Sequence, residues 1–245
     1  VGVYKGEKLL NYWHLATIQK KTSDEYGIYL KQLLLASGIS QGDIKNAIIS
    51  SVVPPLTGKM QKTFQRYFNI NPLVVGPGIK TGISIKFDYP KEVGADRIVN
   101  AVAAFHSYGK EKNTPLIIVD FGTATTFCAI SEKHEYIGGV ICPGIGISAE
   151  ALVSKASKLP RVELVKPDQI VGKNTVASMQ SGLFYGYASQ VDGIVLKMQQ
   201  ELGWHAKVIF TGGLASLLSE GCQTVDEVNP NLTLEGLRLI YELNQ

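Results

Sequence analysis

No stretch of the 245 residues approaches the roughly 20 consecutive apolar positions that a membrane-spanning helix needs. Cysteine is scarce. Cys128, Cys142 and Cys222 form no C-x-x-C pair, and an odd count cannot complete a disulfide framework. Free thiols in a reducing compartment follow, and with them a cytoplasmic protein. Charge of one sign is also lacking. The 24 basic and 21 acidic residues leave a net +3, dispersed without a run of five like charges, which excludes a nucleic-acid groove. His14, His106, His134 and His205 are scattered, with no zinc-ligand spacing. Neither G-x-x-x-x-G-K-[ST] nor G-x-S-x-G occurs, and Gly172-Lys-Asn-Thr175 lacks the upstream glycine and strand of a Walker motif. Three methionines are too few for a methionine-lined surface, and Met179 and Met198 are expected in the core.

What is present is an ordinary globular composition, 45% hydrophobic and 18% charged. Residues 1–4 and 9–15 read as a hairpin around Lys5-Gly6-Glu7. Ser23 is placed to cap a helix to about residue 37, with Tyr26, Tyr29, Leu30, Leu33 and Leu34 as its apolar stripe. Residues 47–53 form a β-branched run stopped by Pro54-Pro55, which predicts a buried strand, followed by a helix over 56–68 and a short strand at 73–75. Residues 76–90 read as a loop and 94–108 as a helix. Polar residues 110–114 are the best linker candidate. The second half reads as strands at 116–120, 125–131 and 136–141, a helix opened by Ser148, a loop over 157–174, a long helix over 175–202, a strand at 207–211 and a helix over 233–243. The expected division is 1–112, with 233–245 packing back on it, and 113–232.

Four segments carry chemistry. Asp120-Phe-Gly-Thr-Ala-Thr-Thr126 follows the apolar strand Leu-Ile-Ile-Val, so a carboxylate sits at a strand tip beside a glycine and hydroxyl-bearing threonines. Such a turn can hold phosphate oxygens and a cation together; the plain alternative is an Asx-turn in a hairpin. Gly94-Ala-Asp-Arg97 opens a helix whose amides favour an anion. Arg97 can contact a phosphoryl group and Asp96 can accept a proton from an attacking hydroxyl. The alternative, an acidic first-turn residue beside a surface arginine, stays open. Gly139-Val-Ile-Cys-Pro-Gly-Ile-Gly-Ile-Ser148 is a glycine-rich loop before a helix, and Thr211-Gly-Gly-Leu-Ala215 a glycine turn against which a flat ring can lie. Each of these two is also explained by ordinary turn glycines.

In combination these segments resemble the type III pantothenate kinase family. The blocks occur in order: Gly-Ala-Asp-Arg at 94–97, Asp-Phe-Gly-Thr-Ala-Thr-Thr at 120–126, Gly-Gly-Val-Ile-Cys-Pro-Gly at 138–144, Leu-Pro-Arg-Val-Glu-Leu at 159–164 and Gly-Lys-Asn-Thr at 172–175. The resemblance covers essentially the whole chain. It implies an α/β protein with the duplicated actin and sugar-kinase (ribonuclease H-like) fold, two halves and a cleft between them. It also implies ATP-dependent phosphorylation of pantothenate to 4′-phosphopantothenate, the first step of coenzyme A biosynthesis. A divalent ion such as magnesium and a monovalent cation, potassium or ammonium, come with that activity. By motif, Asp96 matches the general base, and Gly94, Ala95, Asp96 and Arg97 the pantothenate-binding stretch. Asp120 matches the monovalent-cation ligand, Thr123 an ATP contact and Thr175 a pantothenate contact. The family is homodimeric, with no nucleic-acid or membrane partner. It begins with a strand and Asp-x-Gly-Asn-Thr, a phosphate-binding turn that this sequence, starting at Val1 without a methionine, does not show. Either leading residues precede Val1, which is the expectation, or ATP is not held in the usual way. The rival readings are a non-catalytic binding or regulatory relative and another small-molecule kinase of the same fold.

Overall fold

A computed structural model describes residues 1–110 and 113–245. Glu111 and Lys112, in the middle of the expected linker, lie outside the described residues. In chain order the elements are β1 (Gly2–Lys5), β2 (Lys8–Tyr12), α1 (Ser23–Ala36), β3 (Ile48–Ile49), α2 (Pro54–Phe68), β4 (Leu73–Val74), β5 (Ser84–Ile85) and α3 (Ala95–Ala104). A π-helical turn, Phe105–Gly109, continues α3. Then come β6 (Leu116–Phe121), β7 (Ala124–Ile130), β8 (Glu135–Pro143), α4 (Ile145–Lys155), α5 (Thr175–Leu202), β9 (Lys207–Gly212), α6 (Ala215–Ser219), β10 (Glu227–Val228) and α7 (Leu232–Leu243). No helix among the described residues is long and apolar enough to cross a membrane.

The chain forms two compact units: Val1–Gly82 with Lys91–Val102 and Thr233–Gln245, and Ile83–Pro90 with Ala103–Leu232. In the first, β1 and β2 make the expected hairpin, and β3 and β4 pair in parallel. The strand foreseen over 47–53 shrinks to Ile48–Ile49. Pro54-Pro55 does more than stop it: the pair occupies the first helical positions of α2, where a missing N–H costs nothing. The cap of α1 is Thr22, one residue earlier than foreseen. Its hydroxyl accepts from Glu25 N–H at 3.2 Å while the Glu25 carboxylate accepts from Thr22 N–H at 2.7 Å, a capping box. Leu30 and Leu34 of α1 pack with Phe68 and Ile70. Tyr29, assigned to that stripe, is exposed instead. Helix α7 packs on α3 so closely that a Cβ at Gly236 would lie 2.1 Å from the Val99 carbonyl oxygen.

The second unit is built on a six-stranded sheet ordered β10-β9-β6-β7-β8-β5. Strand β7 runs antiparallel to β6 and β8, while the remaining pairs are parallel. Strand β6 is apolar on both faces, as the run Leu-Ile-Ile-Val requires of a central strand. Its Ile117, Val119 and Phe121 join Phe210 of β9 and Leu183, Phe184, Val191 and Val195 of α5 in one core. The 28-residue α5 begins at Thr175 and ends at Leu202 before Gly203, as the sequence indicates. The edge strand β5, inside the foreseen 76–90 loop, has no sequence signal: two residues paired on β8 are held by the sheet, not by propensity.

Candidate active site

Alternation along β6 turns Asp120 away from the face that carries Val119 and Phe121, at the strand's carboxyl end. Asp120 is flanked by Thr126 of β7 and Thr211 of β9. The next residue of β9, Gly212, has φ of 92°, and a Cβ there would stand 2.5 Å from Asp120 Oδ1 and 2.7 Å from the Phe121 amide nitrogen. Only glycine both adopts this φ at low cost and leaves room for the carboxylate. The β6–β7 turn is tight, with the Gly122 amide donating to the Ala124 carbonyl at 3.1 Å and Thr123 exposed at its tip. Gly144, the N-cap of α4, closes on this turn. Its amide donates to the Thr123 carbonyl at 3.0 Å, and a Cβ at 144 would lie 2.2 Å from that oxygen. Asp120, Thr123, the Thr211-Gly212 turn and the start of α4 therefore meet at one end of the sheet. In the segment at 139–148, a candidate that turn glycines could also explain, Gly144 makes this close approach.

The first turn of α3 lies in the other unit. Asp96 and Arg97 are half-buried. Asp96 Oδ1 accepts from the Arg97 amide at 2.9 Å, whereas Oδ2 has no hydrogen-bond partner among the described residues. The Arg97 amide also donates to the Gly94 carbonyl at 3.1 Å, which closes the turn. One carboxylate oxygen is thus fixed by the backbone, and the other is available to a further donor.

Thr175, exposed, is the first residue of α5. Asn174 caps this helix, its Oδ1 accepting from Ala177 N–H at 2.9 Å. A cavity of about 750 Å³ opens beside it in the second unit, lined by Thr175, Lys173, Ser148 and the apolar Leu152, Leu159 and Met179. Met179 is buried as foreseen and also forms part of this wall. Sequence reading passed over the cavity because its wall is assembled from α4, the 156–174 loop and α5. The available signal was Ser178 and Gly182, small residues one turn apart on α5. The tip of β6 and this cavity are linked by α4, whose cap touches Thr123 and whose Ser148 reaches the cavity. Tyr187 of α5 donates to the Pro143 carbonyl at 3.2 Å and contacts Ser148 Oγ.

The residues at the β6 tip fit a hard cation carried with phosphates: a carboxylate, two neighbouring threonines and the space beside Asp120 that a Cβ at position 212 would fill. Counted from β6, the sheet order β8-β7-β6-β9-β10 with β7 antiparallel is that of a ribonuclease H-like half. A Campylobacter jejuni protein described as a Baf family transcriptional activator is similar, at 20% identity over 88% of each chain and a TM-score of 0.55. The activator of 2-hydroxyisocaproyl-CoA dehydratase from Clostridium difficile, solved with bound ADPNP, is similar at 11% identity over 97% of this chain and 87% of that one, with a TM-score of 0.50. The protein has the α/β fold of the actin and sugar-kinase class. A model of the type III pantothenate kinase family matches residues 1–197, four-fifths of the chain. The chain belongs to that family, and so to the kinases of this fold.

Proposed function

We propose that the protein transfers the γ-phosphoryl group of ATP to the primary hydroxyl of pantothenate, giving ADP, 4′-phosphopantothenate and a proton, as the first step of coenzyme A biosynthesis. The observation that carries this reading is the family match over residues 1–197, which includes every residue given a role below. Asp96 is the general base. Its unpartnered Oδ2 takes the proton as the substrate oxygen attacks, late in a loose transition state that asks little basicity of the carboxylate. Arg97, with Gly94, Ala95 and Asp96, binds pantothenate and balances charge on the transferring group. Thr123 contacts ATP from the turn that α4 closes. Asp120 would hold a monovalent cation, potassium or ammonium, which supplies countercharge beside the phosphates. A divalent ion such as magnesium would arrive on the nucleotide. Thr175 contacts the pantothenate carboxylate from the first turn of α5, where backbone amides favour an anion. A second copy completes the substrate pocket, so the working species is a homodimer, acting in the cytoplasm.

The test is direct: purified protein is incubated with ATP, magnesium, potassium and pantothenate, and the product is weighed by mass spectrometry. The expected outcome is a product heavier by one phosphoryl group, with one ADP per product. ADP release without a pantothenate product would overturn the assignment.

A further inference from the structure

The cavity beside α5 is chemically one-sided. Leu152 of α4, Leu159 of the following loop, and Met179 and Leu183 of α5 form an apolar wall. Among the residues that line it, Lys173 carries the only charge and no carboxylate is present. Lys173 has no ion pair or hydrogen bond among the described residues. Its backbone is anchored on the helix side: a Cβ at Gly172 would lie 2.4 Å from the Ser178 amide nitrogen, so the loop lies directly on α5, and Ser178 Oγ donates to the Gly172 carbonyl at 3.3 Å. Gly182, also in the lining, leaves open space, since a Cβ there meets nothing within 4 Å. A pocket with an aliphatic wall, hydroxyls in its lining and one solvent-exposed ammonium without an ion partner suits a short aliphatic acid, and disfavours a cationic ligand.

We infer that Lys173 is the specificity-determining cation for the substrate's carboxylate, with the aliphatic part of that acid lying against Leu152, Leu159 and Met179 in this cavity. The inference rests on the reading of the protein as a pantothenate kinase and adds a residue to it. Thr175 and the α5 amides orient the carboxylate by hydrogen bonds, whereas Lys173 supplies the charge that separates an acid from its neutral analogue.

Steady-state kinetics on the full chain with ATP test this. Wild type, Lys173→Met, Lys173→Arg and Gly182→Leu are compared on pantothenate and on its uncharged analogue, in which a primary alcohol replaces the carboxylate. Lys173→Met should raise KM for pantothenate roughly ten-fold, at the low end of what a hydrogen bond to a charged group contributes, and leave kcat within about two-fold. Its KM for the alcohol should stay at the wild-type value, and Lys173→Arg should restore most of the affinity for the acid. Gly182→Leu fills the open space at that position of the lining, and should raise KM for both compounds at an unchanged melting temperature. Wild type active on pantothenate, with a Lys173→Met KM that is unchanged or raised equally for acid and alcohol, overturns the inference and leaves the function standing. Gly182→Leu with both KM values unchanged removes the cavity as the place of binding. Wild type inert towards pantothenate overturns both readings.

Discussion

Asp96 and Asp120 are both carboxylates at element ends, yet their surroundings differ, and so do the tests of their proposed roles. Asp96 keeps one oxygen on its own helix turn and one available, so Asp96→Asn should lower kcat by roughly 10² to 10⁴ with the circular dichroism spectrum unchanged, the cost of losing a general base. Activity within a few-fold of wild type would remove it from that role. Asp120 sits over Gly212 between two threonines, and the proposed role for it is that of a cation ligand. Replacing potassium by sodium or a large organic cation should lower the rate, and Asp120→Ala should erase the difference between salts. Cys222 is a half-buried cysteine held in its protonated form. Burial, and after it the Asp192 carboxylate, push its pKa from 9.0 up to about 12. The folded state then holds a proton that the unfolded chain releases, so its contribution to stability is complete below pH 9 and is lost as pH rises towards 12. Cys222→Ala should flatten the fall in melting temperature across that alkaline window, and an unchanged slope would argue against the burial.

At the scale of elements, the β6 tip of the second unit depends on how closely three backbones approach. The cap of α4 lies on the β6–β7 turn with no room for a methyl group, so Gly144→Ala must push Thr123 or α4 aside. Its expected effect is weaker nucleotide binding by calorimetry, with the long α5 and its core untouched, because that core is made by other residues. Nucleotide affinity equal to wild type would show that the turn does not need its present position. Element existence was largely legible: α5, β6, β7 and the first hairpin follow from periodicity and turn residues. Boundaries were less so. Ser148 was foreseen as the start of α4, but the helix opens at Ile145 because Gly144 already adopts the extended cap conformation. The strand over 47–53 is confined to Ile48–Ile49 because, among the described residues, its β-branched run pairs only with the two residues of β4.

On the scale of the whole molecule, the C-terminal helix belongs to the first unit, far from it in sequence. Thr233 Oγ1 donates to Asn100 Oδ1 at 2.7 Å, and Gly236 admits the α3 backbone. Gly236→Val should therefore lower stability by about 1–3 kcal/mol through overpacking. Loss of protection should appear first in residues of the first unit by hydrogen exchange, and equal loss in both units would contradict this division of the fold. A homodimer would appear in light scattering as twice the 26.6 kDa chain mass.

The sequence alone determined the type of most elements, the carboxylates at the tips of β6 and α3, and the order of motifs by which the chain resembles its family. These are local properties. A hydrophobic period, a proline at a helix start or an aspartate after an apolar strand acts within a few residues of itself. Tertiary structure alone decided which of those residues meet. Gly212 faces Asp120 across 92 positions because β9 pairs with β6, and Gly144 meets Thr123 because β8 returns beside β7. The cavity at Lys173 likewise exists only once α4, the loop after it and α5 have packed, since no single segment carries a wall of its own.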